Sequence, residues 1–98
     1  MQKTNAKVTV SADDAEKIAI AALTFIASDE EILSQFLSVT GLALQDIRAQ
    51  AATPAFLAGV LDYLIHDESL LLVFTANMHM DPNMVQQAHH VLETDLGL

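Results

Sequence analysis

Apolar residues recur along this chain at helical spacing, and the most regular stretch runs from Thr53 to Phe74. Thr53 is a good N-cap, and Pro54 stands at the first helical position, where its missing N–H costs nothing. Phe56, Val60, Tyr63 and Leu64 then share one helical face, which Leu57, Leu61 and Ile65 widen. A polar corner follows, in which Asp67 caps the next helix and Glu68 suits the positive end of its dipole. The remaining helices are read from the same signals. Ser11, with Asp13 and Asp14 behind it, opens helix one, about 12–27. Ser28 and Glu31 have capping-box spacing and open helix two, about 29–40, which Gly41 closes as the residue past its end. Helix three, about 44–52, is short, with Leu44, Ile47 and Ala51 on its inner face. Asp81-Pro82 repeats the cap-plus-proline signal and opens helix six, about 82–95, before Gly97. Residues 1–10 keep no period and are read as a mobile arm, leaving a single domain over 11–98.

Sliding the sequence on itself by 38 residues sets 15–51 on 53–89 without a gap. Leu23 meets Leu61, Phe25 meets Tyr63, Ile26 meets Leu64 and Phe36 meets Phe74. Asp29-Glu30 meets Asp67-Glu68, Leu42 meets Met80, and Ile47 meets Val85. Five positions are identical, so the weight rests on apolar positions, corner acids and helix starts keeping register together. The expectation is an all-α, six-helix domain made of two tandem three-helix units packed face to face, because two units are too few for an open solenoid. Gly59 falls opposite Ala21. Ala19, Ala21 and Ala22 on helix one and Ala55, Ala58 and Gly59 on helix four are expected to let those helices cross closely at the centre.

The chain has 98 residues, 52% of them hydrophobic and 17% charged, which is a composition for one well-packed core. Thirteen acidic residues against four basic ones give a formal charge of −9. Such a surface repels phosphate, so neither nucleic acid nor an anionic membrane is expected as a partner. Cysteine is absent, which removes thiolate metal sites and favours a reducing compartment. The apolar run Ile18–Ala27 is about half of the ~20 residues that span a bilayer. Acids precede it where a signal peptide carries basic residues. A core helix in a soluble, cytoplasmic protein is expected.

The two halves differ where helix five replaces helix two. Ser34, Gln35 and Ser38 become Leu72, Val73 and Ala76, while Thr40 becomes Met78 and Asp46 becomes Met84. Burial of Leu72 and Val73 under the N-terminal arm, helix six or helix one is the favoured reading, since such residues are more often covered. The other reading makes Leu72, Val73, Met78 and Met84 an exposed apolar patch for a protein partner or a second copy. Mean hydropathy is +0.36, high for so small a domain, and keeps that reading open. The alternative function is a small-molecule or lipid-tail pocket between the units, lined by Phe25, Phe36, Phe56, Tyr63 and Phe74.

Catalytic chemistry finds no anchor. Phosphate loops, HExxH, EF-hand loops and nucleophile elbows are absent from the sequence. His89 and His90 lie about 100° apart on a helix and do not share a ligand easily. His66 with Asp67, and His79 with Asp81, offer two ligands each, and the chain is read as lacking the i, i+4 His/carboxylate spacing of helical metal sites. The histidines are therefore taken as solvated groups near helix ends, with His66 placed to interact with a helix dipole. Capping accounts for Asp29, Glu30, Glu31, Asp67 and Glu68. Asp62, between Leu61 and Tyr63, is expected to face solvent rather than to pair with Arg48. Neither an enzyme activity nor a cofactor is expected.

Several runs together carry a resemblance: Phe25-Ile26-Ala27-Ser28-Asp29, Phe36-Leu37-Ser38-Val39-Thr40-Gly41-Leu42, Ile47-Arg48, Pro54 through Asp62, Asp67-Glu68 with Leu71 and Phe74, and Asp81-Pro82. Over about 15–92 the chain resembles a family of small helical proteins from alphaproteobacteria, catalogued as a domain of unknown function. The resemblance implies an all-helical fold, a cytoplasmic location and no assigned enzyme activity. That family usually has an Asp-Pro-like helix start after the Thr-Gly-Leu turn. Ala43-Leu44 stands there instead, which leaves helix three poorly capped.

Overall fold

A computed structural model describes residues 10–95. The chain forms six helices: α1 (Ala12–Ala27), α2 (Glu30–Thr40), α3 (Leu44–Gln50), α4 (Pro54–Ile65), α5 (Glu68–Asn77) and α6 (Pro82–Asp95). Their starts are set by side-chain caps. Ser11 accepts from the Asp14 amide at 3.0 Å, Thr53 from Phe56 at 3.3 Å, and Asp67 from Leu70 at 3.2 Å. Asp81 accepts from Asn83 at 2.8 Å, beside Pro82.

Two caps depart from expectation. α2 is capped by Asp29, which accepts from both Glu31 and Ile32, and not by Ser28. The Ser28 hydroxyl instead donates to the Phe25 carbonyl at 2.9 Å and finishes α1. At α3 the N-cap is Ala43, which has no side-chain acceptor, so only the reciprocal half of a capping box forms. There the Ala43 amide donates to Asp46 Oδ2 at 2.9 Å.

α1, α4 and α6 pack on one another and hold the core. α1 gives it Ala15, Ile18, Ala19, Ala22, Leu23 and Ile26, and α4 gives it Phe56, Leu57, Val60, Leu61 and Leu64. Val85, Ala88 and Leu92 of α6 close it. α2 packs on α1, α5 rests on α4 and α6, and α3 contributes Ile47. The central event is thus not a lone crossing of α1 with α4, because α6 packs against both. Gly59 takes no part in it. It is exposed, and a Cβ built there meets nothing within 4 Å. Residues 1–9, most of the expected arm, and residues 96–98, with Gly97, lie outside the described residues. Val10, read as part of the arm, is buried in the core.

Several backbone features fall 38 residues apart, although this does not by itself make the two halves copies of one unit. That shift carries the end of α1 onto the end of α4, and the starts of α2 and α3 onto those of α5 and α6. It also carries Gly41, at φ 75°, onto His79, at φ 53° and the one non-glycine residue of positive φ among those described. Two ring pairs exchange under the same shift. Phe25 of α1 meets Phe74 of α5 with centroids 5.4 Å apart, and Tyr63 of α4 meets Phe36 of α2 edge-on at 4.9 Å. The third helices break the correspondence, since α3 has seven residues and lies aside while α6 has fourteen and sits in the core.

Candidate functional site: the outer face of α5 and the groove at its foot

One side of α5 is core. Leu71, Phe74 and Thr75 are buried there, and the Thr75 hydroxyl donates to the Leu71 carbonyl at 3.0 Å, so its burial leaves no polar group unsatisfied. Helical spacing turns Ser69, Leu72, Val73 and Ala76 to the opposite side, and all four are exposed. Leu72 keeps 49% and Val73 51% of its surface, and Met78, the C-cap, keeps 44%. Neither α1 nor α6 covers these three, so burial under helix one or helix six fails, while cover by residues 1–9 of the arm lies outside the described residues. α4, α6 and Phe25 of α1 meet α5 on its core side, and Leu72 and Val73 fall on the other, while Met78 follows the helix as its C-cap. Met84 is the exception, half-buried against the core in the first turn of α6.

At the N-terminal foot of α5 lies a groove of about 390 Å³. Val39 of α2, itself 66% exposed, forms one wall and Tyr63 another. His66, Asp67, Glu68 and Ser69 complete the side toward α5. Burial holds the Tyr63 phenol above its ordinary pKa, and the Asp67 carboxylate pushes it the same way by disfavouring a second negative charge. Tyr63 is the one aromatic of the expected ligand pocket that reaches this groove. Phe36, Phe56 and Phe74 are buried, and Phe25 is half-buried against Phe74. These rings fill core volume in pairs from different helices.

A second constellation joins α4 to α6. Asp62 faces solvent, as expected, at half exposure. Its carboxylate lies 3.5 Å from His66 Nδ1 and 3.7 Å from His89 Nε2, and Glu93 is 3.6 Å from the same His89 nitrogen. His66 Nδ1 also donates to the Asp62 carbonyl at 2.9 Å, which accepts the His66 amide as well at 3.1 Å. The i, i+4 spacing counted as missing is in fact present twice, as Asp62/His66 and His89/Glu93, and was legible from residue numbers alone. What the numbers do not carry is that α6 lies along α4 and brings the two pairs together. Among the described residues, no group of three or more such side chains is arranged to hold a metal ion. His79, at the left-handed turn after α5, and Asp81, the α6 cap, serve the chain reversal.

The fold and this surface define a small all-α protein with an unpartnered apolar helix face above an acidic groove. Over residues 12–95 the chain matches the family described as protein of unknown function DUF3572, and it belongs to that family. No curated protein and no solved structure matches it. Among the described residues, no helix is long and apolar enough to cross a membrane.

Proposed function

We propose that this protein is a protein-interaction module without enzymatic activity of its own, and that the outer face of α5 is where it engages a partner. The observation that carries the reading is the exposure of Leu72 and Val73 side by side on the outer face of α5, at positions where the other half of the chain places Ser34 and Gln35. Large apolar side chains grouped on an exposed face mark contact surfaces more often than scattered ones do. Lack of cysteine is in keeping with work in the cytoplasm.

The test is positional. A photo-crosslinking residue in place of Leu72 is expected to give an adduct of one discrete mass in the producing cells. The same residue in place of Ala49, exposed on α3, is expected to give none, and Val73→Ser is expected to abolish the first adduct. The Leu72→Ser/Val73→Ser pair should keep its melting temperature within about 3 °C, since half-exposed residues carry little of the core. Equal labelling at both positions, or unfolding of the double variant, overturns the reading.

A further inference from the structure

We infer that the occupant of this surface is a basic amphipathic helix, laid along α5 with one lysine or arginine seated in the groove at its foot; the inference rests on the interface reading above. The outer face of α5 has the relief that suits a helix. Leu72 and Val73 form a ridge, and the small residues Ser69 and Ala76 lie next to it on the same face, where a partner backbone can come close. Ten residues give α5 a length of about 15 Å, enough for three turns of a partner.

The groove opens just before the ridge, because Glu68 and Ser69, which line it, stand in the first turn of α5 ahead of Leu72 and Val73. Val39 and Tyr63 offer it apolar surface for an aliphatic stem, Asp67 and Glu68 offer carboxylates, and Gln35, His66 and Ser69 complete the lining. A long side chain with an apolar stem and a cationic head fits that set of surfaces. Asp67 uses one oxygen for the Leu70 amide, and a carboxylate has further lone pairs for a cation.

Charge chooses among occupants. No lysine or arginine follows Arg48, whereas Asp62, Asp67, Glu68, Asp81, Glu93 and Asp95 all do. A second copy would bring the Asp67 and Glu68 carboxylates against the acids of another chain of net charge −9, and an acidic helix would fare no better. A basic helix meets complementary charge at the groove, where these two carboxylates stand.

The experiment uses two labelled synthetic helices with the same leucine stripe, one with lysine and one with glutamate at its polar positions. Binding is read by fluorescence anisotropy. The lysine peptide should bind the wild-type chain at least about tenfold tighter than the glutamate peptide and should weaken with added salt. Asp67→Asn/Glu68→Gln should cost about tenfold for the lysine peptide, and asparagine keeps the α5 cap. Leu72→Ser/Val73→Ser should abolish binding while circular dichroism stays helical. Equal affinity for the two peptides, indifference to salt, or no effect of the acid variants overturns the basic occupant; loss of binding on Leu72→Ser/Val73→Ser would still leave the apolar face standing as the interface. Absence of any lysine-peptide binding overturns the inference by itself. The crosslink at position 72 then decides separately whether the face has a protein partner at all.

Discussion

Gly59 stands in the middle of α4 on its outer side, with open space where a Cβ would go. Glycine in a helix interior costs about 1 kcal/mol against alanine, through backbone entropy and helix propensity. Nothing in the packing repays that cost. Gly59→Ala is therefore expected to raise unfolding stability by about 1 kcal/mol, read from the urea midpoint at unchanged slope. Gly41 is the opposite case, since its φ of 75° is the left-handed closure of α2.

Tyr63 is the residue whose chemistry depends most on its surroundings. Its phenol titrates above the ordinary 10.0 in the folded chain because of burial first and Asp67 second. The folded state thus holds this proton more tightly than the unfolded chain does. The stabilisation is fully present below the unfolded pKa near 10 and is lost as pH rises through the folded one. Asp67→Asn is expected to bring the phenol part of the way back toward its ordinary value, seen in the ultraviolet absorbance of the phenolate. An unchanged titration would show that burial alone sets it.

Among the elements, the α1–α2 and α4–α5 hairpins answer each other ring for ring. Phe36 and Phe74 are both fully buried, and each meets the aromatic of the other unit. Phe36→Ala and Phe74→Ala should each cost about 3–5 kcal/mol and should match within about 1 kcal/mol. A wide gap between them in denaturant titration would break the equivalence that the 38-residue shift implies. Element starts were the most legible part of the sequence, since a cap is a local event between residues two or three apart. Thr53, Asp67 and Asp81-Pro82 work as read. At α2 two adjacent candidates competed, and Asp29 won because Ser28 had a carbonyl of α1 within reach. Which face of a helix is apolar was legible too, but not which neighbour covers it. The outer residues of α5 were read as buried for that reason, and Gly59 was read into a crossing that lies on another side of α4.

For the whole molecule, six helices in one domain followed from periodicity, while the middle of the core did not. Periodicity ranks helices by how apolar they are, and α6 is much the most polar of the three that build the core. Only Val85, Ala88 and Leu92 mark its buried stripe. The Asp62/His66 and His89/Glu93 pairs were spaced plainly in the chain, and their meeting depends on that same placement. Charge was legible in amount but not in effect. The −9 total argues against phosphate-rich partners without naming one, and the proposed preference for a basic helix rests on the position of the groove beside α5.

The place of α6 in the core has a consequence for how the protein comes into being. Helices one to five leave the ribosome before α6 does, so for that interval the apolar sides of α1 and α4 lack the third helix that shields them. The core is finished by contacts between the two ends of the domain, which are slow to form compared with those between adjacent helices. A chain truncated within the α5–α6 turn is expected to expose those apolar sides and to be cut by protease at concentrations that leave a chain carrying Leu92 whole.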